Sequence, residues 1–329
     1  MNIAQSLAKL NLFIEGKENE TVFLDLGSRY IKGIAQEQNK IKTAFAEEAT
    51  SDHAKDVVSA LRKHRLTSAR VNLCVKGPDT IMRYIPFPRM EKKNLKQSFG
   101  FELGKHIPFP ADTVYFDVCV IEEEFSKTES LVLLAAVKKE MLAPVIEEAA
   151  KEKIKLSAIT LSPLAIINTF LTGQNPADNC AVIDIGYSST SLSLIKKTVP
   201  YLSREIKVSG KSLLKKISTI KNCDLAEAER ILITKQNPEE LTEISEEIFL
   251  GIAEEIRSSL DYFEMNTGEQ ISSLYLTGGF SYIPGVGKIM ANSLGIETKP
   301  WKPWEKPEIP LSEKNLPQDM FSAAMGLIP

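Results

Sequence analysis

Two short stretches constrain this 329-residue chain more than anything else in it. FLDLGSRYIKG (residues 23–33) runs from an apolar strand into Asp25, Gly27, Ser28 and Lys32, and CAVIDIGYSSTSLSLI (180–195) repeats the plan with Asp184, Gly186 and Ser188 about 160 residues later. An aspartate at the carboxyl end of a strand stands where α/β sheets bind ligands. The glycine lets the backbone turn tightly and present N–H groups, which with the Ser28 and Ser188 hydroxyls can hold phosphate oxygens. Two such turns would grip a polyphosphate from opposite sides. Asp25 and Asp184 would then face a Mg²⁺ ion through water, because magnesium gives up its hydration shell reluctantly. Lys32 adds a positive charge, and TGGF (277–280), with Gly278 and Gly279, offers bare backbone to a base or ribose. One Asp-x-Gly turn is an ordinary hairpin feature. Two in corresponding places, followed by a late TGG, point to parts of one phosphate clamp rather than three unrelated tight turns.

Bulk properties narrow the class. With 40 basic against 43 acidic residues and a net charge of −3, the chain lacks the clustered basic excess of a nucleic-acid binder. Its length exceeds a typical single core, so at least two domains are expected. Cys74, Cys119, Cys180 and Cys223 form no CxxC and read as reduced thiols. The histidines (His53, His64, His106) have no metal-ligand spacing. The longest dense apolar run, LVLLAAV (131–137), is far short of a membrane span, and no signal peptide opens the chain. A cytoplasmic protein that meets the membrane through a partner is the expectation.

Along the chain, Ile3, Leu7, Leu10 and Ile14 form an apolar stripe at helical spacing that reads as a helix packed on its own domain. From about residue 71, VNLCVKG, TIMRYIPF, EKKNLKQSFGFELGKH, VYFDVCVI, SLVLLAAV and KKEMLAPVIEEAAKEK read as a compact α+β module, its last helix disturbed at Pro144. IPFP occurs at 85–88 and 107–110, where proline punctuates strand or helix ends. SGKSLLKKIS is not a P-loop, because Glu205 occupies the position where that motif needs glycine. It reads as a helix start at Gly210. EEIFLGIAEEIRSSLDYFEM (246–265) is a helix with Ile248, Ile252, Ile256, Leu260 and Phe263 on one stripe, and PWKPWEKPEIP reads as an extended surface stretch.

The order of these motifs resembles the superfamily of actin, sugar kinases and heat-shock chaperone ATPases. FLDLGSRYIKG looks like its first phosphate motif, VIDIGYSSTSLSL its second and LYLTGGFSYIPGV its adenosine motif. Within that superfamily, IPFPADTVYFDVCVI, LLAAVKKEMLAPVIEEA and the ending FSAAMGLIP resemble the PilM family of type IV pilus assembly proteins. The resemblance implies an actin-like (ribonuclease H-like) duplicated α/β fold, two domains around a nucleotide cleft. The implied subdomains are 1–70 with 154–175 and 311–329, the insert 71–153, 176–209 with 269–310, and a helical part at 210–268. It also implies ATP and Mg²⁺ as ligands, with Gly210 and Glu229 joining the nucleotide-binding set. The implied partner is the short cytoplasmic tail of an inner-membrane PilN-like protein, held in a groove between 1–70 and 71–153. That makes the chain peripheral to the inner membrane, touching it through the partner alone, with a homo-oligomer left open.

Two departures bear on chemistry. Relatives often carry an acid before Pro-x-Ala where ITLSPLA has Ser162, and in the AE-x-x-K pattern AERIL keeps Glu229 but has Leu232 in the lysine position. No water-orienting base is recognisable, so slow or absent ATP hydrolysis is expected. An FtsA-like division filament is the first alternative; such proteins end in an amphipathic membrane helix, whereas this sequence ends at Pro329 just after AAMGL. A small-molecule kinase of the same superfamily is the second, and would want a carboxylate in an acceptor loop.

Overall fold

The computed structural model describes residues 20–174, 176–303 and 318–329. The stripe at residues 3–14 and the second half of the proline-rich stretch lie outside the described residues. These divide into two compact units, one of 20–174 with 323–329 and one of 176–303 with 318–322.

In the first unit, β1 (Glu20–Leu26), β2 (Tyr30–Glu37) and β3 (Lys40–Glu48) form an antiparallel meander. Its second hairpin turns at Gln38-Asn39, both with positive φ, as a two-residue turn requires. Helix α1 (His53–Lys63) starts where the Asp52 side chain accepts the Lys55 N–H, and it buries Ala54, Val57, Val58 and Leu61. Strand β4 (Arg70–Val75) then pairs parallel to β1, and β8 (Lys155–Leu161) parallel to β4, so the sheet order is β3-β2-β1-β4-β8. Helix α4 (Ser162–Gln174) follows β8 directly.

The insert occupies the connection between β4 and β8. Strands β5 (Thr80–Pro88), β6 (Val114–Glu122) and β7 (Glu129–Lys138) form a three-stranded antiparallel sheet with β7 in the middle. Helix α2 (Lys92–His106) covers one face, closing a core of Phe87, Leu95, Phe99, Leu103, Val132 and Leu134. Helix α3 (Lys139–Lys151) runs unbroken through Pro144 and packs against α1, β7 and β8. On the outer strand β5, Ile85 and Phe87 are buried while Pro86 and Pro88 are exposed, a placement that spares the ladder a missing donor. The second IPFP follows the last turn of α2.

The register corrects one grouping made from sequence. Residues 71–75 do not belong to the insert: they are β4, flanked by β1 and β8, with Val71, Leu73, Cys74 and Val75 buried. A strand in the middle of a covered sheet reads as a continuous apolar run, which is also how an insert strand reads.

The second unit repeats the strand order. Strands β9 (Cys180–Ile185), β10 (Thr190–Lys196) and β11 (Val199–Ile206) form the meander, and β12 (Ser273–Thr277) and β13 (Glu297–Pro300) add in parallel, giving β11-β10-β9-β12-β13. Between β11 and β12 run α5 (Gly210–Lys221), α6 (Leu225–Thr234) and the long α7 (Pro238–Thr267). Asp224 caps α6 by accepting the Glu227 N–H, Asn237 precedes Pro238 at the start of α7, and Gly268 closes α7 in the left-handed region. Ile252, Ile256 and Phe263 of α7 are fully buried, with Ile248 and Leu260 packed at the margin of the same core. Helix α8 (Val286–Leu294) separates β12 from β13, and a 3-10 turn (Gln318–Phe321) leads into α9 (Ser322–Met325).

The proline-rich stretch also needs correcting at its start. Trp301 is only 3% exposed, and its N–H bonds to the Leu276 carbonyl at 2.7 Å, extending the β12–β13 pairing by one residue. Proline density signalled a surface loop; strand pairing pulls the indole into the core.

Candidate functional site

The first turn is built by cross-strand register. Asp25 on β1 stands opposite Lys32 on β2 and Cys74 on β4, so all three side chains share one face of the sheet. Asp25 is 1% exposed. Its Oδ2 is paired with the Lys32 ammonium, while Oδ1 accepts the Ser162 hydroxyl at 2.9 Å and lies 3.6 Å from the Cys74 sulfur. Burial pushes the Asp25 pKa up, but the Lys32 and Lys76 charges and the hydrogen bonds from Lys32 and Ser162 outweigh it and hold the carboxyl below its ordinary range. Burial, helped by the Asp25 charge, raises the Cys74 thiol well above its own. Gly27 is required by close approach: a Cβ there would stand 2.6 Å from the Tyr30 carbonyl and 3.4 Å from the Lys32 stem. Ser28 is exposed at the tip.

The second turn is held by more bonds. The Gly186 N–H closes it onto the Ser189 carbonyl at 3.1 Å. The first N–H groups of α5 then reach back, Gly210 to the Gly186 carbonyl at 2.9 Å and Lys211 to the Tyr187 carbonyl at 2.8 Å. Thr190 Oγ1 donates to the Val208 carbonyl at 2.8 Å, and the Ser189 hydroxyl donates to Glu205 Oε1. Asp184, 7% exposed, stands opposite Ser191 on one side and Thr277 on the other. The third turn rests on it. Gly278 has φ +94°, and a Cβ there would fall 2.3 Å from Asp184 Oδ1 and within 3 Å of the Ile185 backbone. The Phe280 N–H bonds to the Ile185 carbonyl at 3.1 Å, and Thr277 Oγ1 meets Ser322 Oγ at 2.5 Å.

Within the second unit, Asp184, Gly186, Ser188, Gly210, Gly278 and Gly279 therefore gather at one end of the sheet. Glu229 is on α6, which packs against α5, the helix that begins at Gly210, and Leu232 in the lysine position is 1% exposed in the core. In the first unit Asp25, Gly27, Ser28 and Lys32 share the β1–β2 turn. Three contributors escaped the sequence reading: Ser162 as a donor to Asp25, Cys74 beside it, and Glu205 beside Ser189. Only strand register could have pointed to Cys74 and Glu205.

The donors suit a hydrated Mg²⁺. They are hard oxygens, and such an ion is commonly bound by one or two carboxylates with substrate phosphates and its own waters. Among the described residues, no group of three or more His, Cys, Asp or Glu is set to wrap a bare cation. The glycine at 278 lets its backbone approach the Asp184 carboxylate more closely than any side chain there would allow. Both oxygens of Asp25 are engaged, by Lys32 and Ser162.

A second feature is a cavity of about 460 Å³ between the insert and β8. Ala135, Val137, Leu142, Ile146 and Leu161 make its lining predominantly apolar, with Tyr115 among them. Lys96 and Asp117, 3.1 Å apart, also line it, and the Lys139 ammonium stands 5.7 Å above the Tyr115 ring. Among the described residues, none of 20–70 lines this cavity; its wall opposite the insert is residues 156–161.

The family profile described as type IV pilus assembly protein PilM matches residues 31–327. Among solved structures the chain is similar to a PilM–PilN type IV pilus biogenesis complex, with TM-score 0.79 and 22% identity over 95% of this chain and 98% of that one. It is similar to a Bacteroides thetaiotaomicron protein with an actin-like ATPase fold, with TM-score 0.56 and 10% identity over 93% and 95% of the two chains. It is also similar to MreB5 of Spiroplasma citri bound to AMPPNP, with TM-score 0.54 and 12% identity over 94% and 95%. At these identities the likenesses establish the fold, which is actin-like. No curated protein sequence matches.

Proposed function

The chain belongs to the PilM family of type IV pilus assembly proteins, and on that premise we propose that it is an ATP-binding scaffold that captures the cytoplasmic N-terminal tail of a PilN-like inner-membrane protein. The observation that carries the partner half is the apolar cavity between the insert and β8, rimmed by Lys96 and Asp117. An apolar slot with a few convergent polar groups suits a short peptide whose side chains enter while its polar backbone meets the rim. The structural likeness to a PilM–PilN complex supports the same partner. Among the described residues, no helix is long and apolar enough to cross a membrane, so on this reading the partner brings the chain to the inner membrane.

The nucleotide half rests on the three turns. The proposed nucleotide-binding residues are Asp184, Gly186, Ser188, Gly210, Gly278 and Gly279 in the second unit and Asp25, Gly27, Ser28 and Lys32 in the first. Magnesium would neutralise phosphate charge there, held through water by Asp184 and, once Lys32 turns to a phosphate, by Asp25. Lys32 supplies the positive charge, the turn N–H groups and serine hydroxyls orient the phosphates, and the Gly278 backbone takes the nucleoside. Likeness to an AMPPNP-bound fold supports this reading. Hydrolysis is slow or absent on this reading, because the sequence carries no recognisable water-orienting base.

Calorimetric titration of Mg·ATP into the purified protein tests the site, with Asp184→Ala as control. Micromolar binding that disappears in the variant is expected; equal binding in both would remove Asp184 from the site. Fluorescence anisotropy with a synthetic PilN-like tail peptide tests the partner, and no binding by the intact protein would reject it.

A further inference from the structure

Glu205 is an unexpected residue beside a phosphate-binding turn. It sits near the end of β11 and is exposed, yet its Oε1 accepts the hydroxyl of Ser189, a buried residue of the second turn. Register places Glu205 opposite Ser191 and Ser191 opposite Asp184. The three side chains therefore stand in one row on one face of the sheet. Two strand spacings put the Asp184 and Glu205 backbones about 10 Å apart. Among the described residues Glu205 makes no ion pair. A lone carboxylate so close to bound phosphates would repel them, unless a cation and its water stand in between.

We propose that Glu205 is a second acidic group of the nucleotide site, acting through the hydration water of a phosphate-bound divalent cation, so that it ties nucleotide affinity to that cation. The inference rests on the ATP reading above. Ser189 is the positioning residue: its hydroxyl holds one of the two carboxylate oxygens. With Mg²⁺ present, the Glu205 charge is favourable to the hydrated ion. Without it, the same charge opposes the polyphosphate.

The measurement is ATP affinity in Mg²⁺ and in EDTA, expressed as a ratio, for wild type, Glu205→Gln and Ser189→Ala. Glutamine keeps an acceptor for the Ser189 hydroxyl, so a merely structural Glu205 would leave the ratio unchanged. On the proposal, Glu205→Gln binds metal-free ATP more tightly and gains less from Mg²⁺, so the ratio falls about tenfold. Ser189→Ala moves it the same way by a smaller factor, and stands in if the first variant fails to fold by far-UV circular dichroism. A wild-type ratio retained in both variants overturns the proposal and leaves the ATP site standing. Failure of the wild type to bind ATP under either condition overturns both.

Discussion

Lys32 and Asp25 face each other across β1 and β2 as an ion pair on an aspartate that is 1% exposed. The pair is buried, hydrogen-bonded through Ser162 and close to the Cys74 sulfur. Each charge is tolerable in the sheet because the other is there.

Removing one partner should therefore cost more than removing both. Lys32→Met, which strands the carboxylate, is expected to destabilise the first unit by about 3 kcal/mol. Asp25→Asn combined with Lys32→Met should recover most of that loss. Urea denaturation of the three proteins measures it, and a double variant as unstable as the single one would show that the pair is not coupled.

The same pair sets an acid limit. Because the folded pKa of Asp25 is lowered, its stabilisation is fully present above the unfolded value of about 3.9 and is lost as pH falls through the folded value. The stability advantage of wild type over Asp25→Asn should be flat at neutral pH and shrink only below about pH 4. Denaturant midpoints across pH 2–7 would reveal it; a difference that disappears near pH 6 would point to another group.

Neighbouring glycines should respond differently to one methyl group. Gly278→Ala would set a Cβ 2.3 Å from Asp184 Oδ1 in a left-handed backbone, so a loss of about 2 kcal/mol or more is expected. Gly279→Ala meets only the Met320 Cβ at 3.8 Å and should stay within about 0.5 kcal/mol of wild type. Thermal unfolding of both variants checks the contrast.

The thiols should also separate. Burial pushes Cys119 and Cys180 to about 12 and lifts Cys74 well above its ordinary value, so little thiolate exists at pH 8. Cys223 and Cys119 are both partly exposed, but the Cys119 thiol is the one pushed up, so Cys223 should be alkylated first by iodoacetamide, Cys119 more slowly, and the buried Cys74 and Cys180 only on unfolding. Peptide mass spectrometry reports the order.

Filling the cavity tests the partner surface. Ala135→Phe introduces a ring among Val137, Leu142 and Ile146, and should weaken tail-peptide binding at least tenfold, by about 1.4 kcal/mol. The circular dichroism spectrum should not change. Undiminished binding would move the partner elsewhere on the unit.

The turns were legible because strand, aspartate and glycine are consecutive, and the long helix α7 because its apolar stripe recurs at helical spacing from Ile248 to Phe263. What stayed hidden depends on partners far away in sequence. The Ser162 hydroxyl reaches Asp25 across 137 positions, and no local pattern encodes that meeting. The run VNLCV carries no mark of which sheet will take it, so β4 was grouped with the wrong neighbours. Glu205 counted only against a P-loop; its bond to Ser189 emerges once β10 and β11 are in register.

The two sheets share one strand order but are lengthened at different seams, the first between β4 and β8 and the second between β11 and β12. Either addition can lengthen, shrink or change its surface while the five-strand frame beside it keeps its pairing. A change of surface on one addition thus leaves the hydrogen-bonded frame of the other sheet untouched.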